Sequence, residues 1–309
     1  MFFMLEWLLL ILILLLSASI AWCFLEIRKL SRILFDLREV VENQGAIREL
    51  GTPIVDSNGR VISVSLKVNA KGLPKQEDRV EMECSPKGFR EFKNVRIKDN
   101  WHVKERGHLL GYQLSGINST TENLNEDFFV TMTSYLNRGE LPNRELQPNA
   151  MQKFENDLKK WVEEHEEYVL DYVVEVQYRE NEIIPRFIKL KYKANHFETN
   201  EEKKVQVGRY EKEEEGYTTV LLENWMKNYW LDYRTGEVTQ LESHNELNTL
   251  LFEAMQKQSL CKQKDCNGRL VYDIERIKDE SSKVKLYESC MKCSSNLYQK
   301  DLKLKLFAS

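Results

Sequence analysis

The sequence has little net charge: 45 Lys and Arg stand against 49 Asp and Glu, leaving −4 at neutral pH. That excludes a global basic field able to draw polyanions to the whole surface, so any phosphate contact has to come from a local patch. It has no internal repeat and no low-complexity tract, which excludes solenoids and long disordered linkers. No Lys or Arg precedes the apolar stretch at the amino terminus, which argues against a cleaved signal peptide with its basic leader. What remains is a chain of 309 residues, 42 % hydrophobic and 30 % charged. That is the make-up of a globular fold with one large domain and something small beside it.

The apolar stretch runs from Phe2 to Leu25, broken only by Glu6, Ser17 and Ser19. As a helix it would extend about 36 Å, enough for a hydrocarbon core of about 30 Å. Glu6 stands where a signal peptide would carry a basic residue, and bulky Trp22 precedes Cys23 where a lipoprotein site needs a small one. The reading is an uncleaved membrane anchor over residues 1–25. Arg28, Lys29, Arg32 and Arg38 follow it, and the positive-inside rule then favours a cytoplasmic body, with an extracellular body as the alternative. Ile27, Leu30, Leu34, Leu37 and Val41 repeat at steps of three and four. They suit either a short coiled coil that pairs two copies or a juxtamembrane helix lying on its own domain.

Residues 26–52 read as this helix and a linker, since Gly45 to Gly59 holds Gly51, Pro53 and the turn Asp56-Ser57-Asn58-Gly59. A main domain is expected over 53–245. Val61 to Val68 alternates as a strand, with Ile62, Val64, Leu66 and Val68 on one face. Val95 to Lys98 does the same and should turn Arg96 and Lys98 out together. Met151, Phe154, Leu158, Trp161 and Val162 form a helical stripe over about 150–167, with Asn149 as its cap. Residues 169–178, 183–192 and 217–222 read as further strands, and 232–237 as a turn. The fold class is α+β.

Between Lys87 and Arg106 the chain gathers Lys87, Arg90, Lys93, Arg96, Lys98, Lys104 and Arg106 against three acids. Such a run is either a solvated strand face or a phosphate-binding patch. Its end, Glu105-Arg106-Gly107-His108, changes the balance. The stretch resembles the Asp-Arg-Gly-His motif of the DNA/RNA non-specific endonucleases, nucleases of the ββα-metal (His-Me finger) type. Val130 to Gly139 is similar to the family's segment carrying the metal-binding asparagine, at Asn137 here. Phe154-Glu155 matches the helix whose glutamate supports the metal site, and Leu231 to Thr239 a later hairpin. The resemblance covers roughly residues 53 to 240, and four ordered matches are more specific than one. Two positions depart from the pattern: Glu105 replaces the motif's aspartate, and Phe128 an asparagine, with Asn123 and Asn125 just upstream.

The resemblance implies a metal-dependent endonuclease that cuts DNA or RNA by their backbone. His108 would take a proton from the attacking water, as suits an imidazole of reference pKa about 6.5. Asn137 would hold Mg²⁺ or Mn²⁺, and Glu155 would accept from a metal-bound water. Arg106 would assist at the phosphate; Arg96, Lys98 and Lys159 are the expected substrate contacts. Lys159, at i+4 from Glu155, has a plainer alternative as its ion-pair partner. The departures at Glu105 and Phe128 leave a second possibility, a membrane-bound nucleic-acid-binding protein with impaired turnover. A toxin-like nuclease with an inhibitor protein is a third.

Near the carboxyl terminus, Cys261 and Cys266 precede, and Cys290 and Cys293 follow, two candidate strands at 269–277 and 283–288 joined by a polar turn at 278–282. Paired thiolates around a hairpin predict a zinc ribbon over residues 259–301, with Gly268 in one knuckle; two disulfides are the alternative. Cys84 has no evident partner. Four sulfur ligands close a site to water, so the Zn²⁺ would be structural.

Overall fold

The computed structural model describes residues 22, 24–32, 45–75, 84–98, 101–117, 126–139, 150–208, 211–241, 260–263, 266, 268–276, 283–293 and 296–303. The expected anchor over 1–25 lies almost wholly outside them, as do Leu34, Leu37 and Val41 of the proposed seam, Asn123, Asn125, Asn149 and the turn 278–282. Among the described residues no helix is long and apolar enough to cross a membrane. The chain divides into two units, Met1–Ala46 and Ile47–Ser309. In the first, helix α1 covers 24–32 and leaves Ile27 and Leu30 exposed.

The second unit is built on an antiparallel sheet. Strands β1 (Arg48–Leu50) and β2 (Ile54–Val55) both pair with β3 (Val61–Val68). The expected linker at 45–59 therefore supplies two short edge strands, and only its turn survives as a turn, where Gly59 N–H donates to Asp56 O at 2.9 Å. Two small ladders follow in sequence. One is β4 (Arg96–Lys98) with β5 (Trp101–His102), and the other β6 (Lys104–His108) with β7 (Phe129–Thr133). The helices are α2 (Tyr112–Ser115), α3 (Ser134–Arg138) and α4 (Met151–Glu164). The main sheet then continues through β8 (Tyr168–Gln177), β9 (Phe187–His196), β10 (Glu202–Lys203), β11 (Lys212–Glu214) and β12 (Tyr217–Glu223), in the order β1-β3-β8-β9-β12-β11. A hairpin of β13 (Tyr229–Leu231) and β14 (Val238–Gln240) precedes a three-stranded ribbon of β15 (Leu270–Arg276), β16 (Lys283–Cys290) and β17 (Asn296–Lys303).

The strand expected at 183–192 begins instead at Phe187. Pro185 has no N–H to give a ladder, and the N–H groups of Ile183 and Ile184 both go to Tyr233 O, at 2.9 and 3.0 Å. Helix α4 is also shorter than the 150–167 expected, and Ala150 occupies its N-cap with no side-chain hydrogen bond. Its stripe is as anticipated: Met151, Phe154, Leu158, Trp161 and Val162 are all buried. They pack into one core with Val64, Leu66, Leu170, Tyr172 and Leu190 of the sheet. The same core takes in Leu109, Phe129, Met132 and Leu136, which makes it the rigid backing of β6, β7 and α3.

Candidate active site

Strand β6 ends at His108, and β7 returns beside it with His108 opposite Phe129 and Glu105 opposite Met132. The chain then turns directly into α3. Thr133 caps that helix, its hydroxyl oxygen accepting Leu136 N–H at 3.2 Å while donating to Trp225 O at 2.8 Å. Strand β7 and helix α3 are contiguous in sequence, while α2 and a 3₁₀ turn lie between β6 and β7. Buried Asn224 fixes it from behind: its Oδ1 accepts Thr133 N–H at 2.7 Å, and its Nδ2 donates to Thr131 O and Pro185 O at 3.1 and 2.9 Å. An amide with its donors and acceptor all engaged inside the protein is a rigid brace.

On this unit Glu105 joins two residues of α3 through short bonds. Asn137 Nδ2 donates to Glu105 Oε2 at 2.8 Å, a bond that does not use the amide's carbonyl oxygen. The same carboxylate oxygen accepts from Arg138 Nε at 2.9 Å. Glu105, the residue that departs from the aspartate pattern, therefore makes the bond that ties β6 to α3. His108 is half-buried, its ring 4.7 Å from that of Phe129 and tilted by 55°. Arg106 lies over the ring of Phe89 at 4.9 Å. Phe128 ends a single 3₁₀ turn at Glu126–Phe128, and its backbone carbonyl accepts Leu109 N–H at 2.9 Å.

Glu155 reaches the same region from α4. It is 4 % exposed, and its Oε1 accepts the N–H of Gly111, three residues beyond His108, at 2.6 Å. Gly111 lets the carboxylate come this close: a Cβ would fall 2.2 Å from Glu155 Oε2, so Glu155 would have to shift. Burial pushes the Glu155 carboxyl up to about 8, and the Gly111 N–H offsets only part of this. The Tyr172 hydroxyl is buried too, and burial together with the nearby Glu155 charge raises its pKa well above the ordinary tyrosine range.

The basic run does not form one phosphate face. Lys87 Nζ donates to Asn58 O and Gly59 O at 3.0 and 2.8 Å. Lys104 is buried at 1 % exposure, where its ammonium donates to Gly88 O, Phe92 O and Gly236 O at 2.9, 3.1 and 2.9 Å. Burial lowers its pKa, with Glu91 opposing. Sequence reasoning missed this cage, because a lysine in a basic run carries no local sign of burial. It also explains the distant hairpin turn: Gly236 sits at φ +83°, and a Cβ there would lie 2.4 Å from Gly88 O. Arg96 is exposed, as expected, opposite His102; the register slips between Arg96 and Lys98, and the Lys98 side chain lies outside the described set. Lys159 pairs with Glu163 at 3.4 Å rather than with Glu155.

The ribbon brings its four cysteines together. The Sγ atoms of Cys261, Cys266, Cys290 and Cys293 all lie within 4.8 Å of one another, with Cys261–Cys293 at 3.7 Å and Cys266–Cys290 at 3.6 Å. A disulfide needs about 2.05 Å, so the disulfide alternative is excluded for these pairs. Four sulfurs at about 2.3 Å from one ion would be spaced by just under 4 Å, so the cluster fits a tetrahedral metal. Cys84 is a free thiol, as expected, and burial raises its pKa.

The sequence profile of the DNA/RNA non-specific endonucleases matches residues 43–196. Among solved structures, one described as an extracellular endonuclease is 28 % identical, with 62 % of this chain and 86 % of that one covered and a TM-score of 0.48. An extracellular nuclease is 26 % identical, with 62 % and 93 % covered and a TM-score of 0.47. A third, NucA from Streptococcus agalactiae with no metal bound, is 18 % identical, with 62 % and 78 % covered and a TM-score of 0.43. Among curated proteins none matches the chain. The profile match spans His108, Asn137 and Glu155 together.

Proposed function

Because the chain belongs to the DNA/RNA non-specific endonuclease family, we propose that it is a membrane-anchored, metal-dependent nuclease whose centre is His108 and Asn137. The observation that carries this reading is the Glu105–Asn137 bond at 2.8 Å. By occupying the amide nitrogen it reserves the Asn137 oxygen for a hard cation, the ligand type that Mg²⁺ or Mn²⁺ prefers. Such an ion neutralises charge on phosphoryl oxygens and on the departing alkoxide. The chain's own groups do the rest. An imidazole nitrogen of His108 takes the proton of the attacking water, and Phe129 beside its ring limits how that ring can turn. Arg106, backed by Phe89, offers its guanidinium to a phosphate oxygen. Glu155 holds the turn after His108 through Gly111 N–H, and near an ion its second oxygen would accept from a coordinated water. Backbone contacts of this kind carry no base information, which suits cleavage without sequence preference.

The cysteine cluster holds Zn²⁺ as a structural ion, four thiolates leaving no position for water. The apolar stretch 2–25 anchors the protein in the bilayer, with the basic residues after it favouring a cytoplasmic nuclease domain.

Two experiments test this reading. The purified chain should nick supercoiled plasmid with Mg²⁺ and stop when EDTA is added; nicking that EDTA leaves unchanged would remove the metal from the mechanism. In intact cells, a reporter cysteine at Ser57 should resist a membrane-impermeant maleimide until lysis. Labelling before lysis would turn the domain outward.

A further inference from the structure

The expected phosphate contacts of this region are partly engaged elsewhere: Lys87 and Lys104 on backbone carbonyls, Lys159 on Glu163. Arg138 is placed differently. It is the last residue of α3, directly after Asn137, and its side chain is 51 % exposed. Glu105 Oε2 accepts from its Nε at 2.9 Å and from Asn137 Nδ2 at 2.8 Å, so one carboxylate oxygen sets both groups. Trp101 backs the guanidinium face, with its ring centroid 5.6 Å from Cζ. Trp101 belongs to the β4–β5 hairpin, in which exposed Arg96 stands opposite His102.

An ion pair whose arginine is half exposed is screened by water on that side and adds little to stability. It does pre-order a guanidinium. With Nε held by Glu105 and one face held by Trp101, the outer Nη edge keeps the forked geometry that fits a phosphate. We propose that Arg138 is a substrate-binding residue that contacts a backbone phosphate next to the one cleaved, with Glu105 and Trp101 as its positioning residues. This rests on the nuclease reading and adds a subsite to it. It also gives the extra methylene of Glu105 a role, since that carboxylate serves Arg138 and Asn137 at once.

The test uses the full chain with a short fluorescein-labelled DNA duplex in EDTA, so that binding is read without cleavage. Anisotropy over a NaCl series gives the slope of log affinity against log salt. Arg138→Ala should lower that slope by about 0.9, the value of one phosphate contact on duplex DNA. Arg138→Lys should keep the slope, since it keeps the charge. In plasmid nicking with Mg²⁺, Arg138→Ala should raise KM and leave the half-saturating Mg²⁺ concentration unchanged. A slope and affinity equal to the parent's would make Arg138 an ordinary surface ion pair and overturn the proposal. A raised Mg²⁺ requirement with an unchanged slope would overturn it too, by showing that Arg138 acts only through Glu105 on Asn137. A parent that binds but never nicks would count against the nuclease reading alone, and the EDTA series would still decide the subsite.

Discussion

The β6–β7–α3 unit and the β15–β17 ribbon are held by different physics. The first rests on a core that runs from Val61 to Leu222 and includes Leu66, Met132, Phe154, Tyr172 and Leu190. Its polar groups are placed by buried hydrogen bonds to that scaffold, as at Asn224 and Lys104. The ribbon's core is Leu241, Val284 and Leu286, with Trp230, Tyr272 and Ile274 packed on it. Among the described residues this is a small apolar cluster for three strands, and a metal held by the four cysteines would add a second constraint. Charges supply a further one. Asp273 of β15 pairs with Arg179 and Arg186, Arg186 also with Glu182, and Arg269 pairs with Glu223. On the proposed reading, chemistry would sit on the large core and a metal would staple the small one.

The sharpest way to break this comparison is to remove one staple. Cys290→Ser, at a fully buried position, should abolish metal binding by the ribbon and expose the amides of β15 to β17 to hydrogen exchange. Structural zinc contributes about 10–16 kcal/mol to such folding, so the effect should be all or none. Protection in β3, β8 and β9 should persist. Simultaneous loss in the main sheet would show that the ribbon and the large core are one cooperative unit, and the contrast would fail.

A smaller effect sharpens the other side. The Glu155 carboxyl, pushed by burial from 4.5 to about 8, is preferentially protonated in the folded protein. Between those values the folded state binds more protons than the unfolded state, so stability should fall as pH rises through that window. Glu155→Gln, neutral throughout, should lose this slope while keeping a side-chain oxygen for Gly111 N–H. Denaturation of both proteins from pH 4.5 to 8 checks it; parallel curves would mean that Glu155 is ionised in the fold across the whole range.

The candidate site was legible through the family resemblance, because Glu105 to His108, Val130 to Gly139 and Glu155 fall in short ordered segments. The stripe of α4 and the thiolate pairs were legible directly, since periodicity and spacing are properties of the chain. What escaped depends on long-range approach. The Lys104 cage joins Gly88, Phe92 and Gly236, and Asn224 reaches Thr131 and Thr133 across more than ninety residues. Strand β17 was missed because Asn296 to Lys303 mixes polar and apolar residues without a clean alternation. The short β1 and β2 were hidden in a turn-rich stretch, where pairing with β3 overrides the local preference.

The central claim is that His108 moves the proton. Plasmid nicking by His108→Ala, beside the parent at saturating Mg²⁺, tests it most directly. General acid–base help is typically worth 10²–10⁴-fold, so turnover should fall by at least about 10²-fold with DNA binding and thermal stability retained. A variant that nicks at the parent's rate would contradict the account.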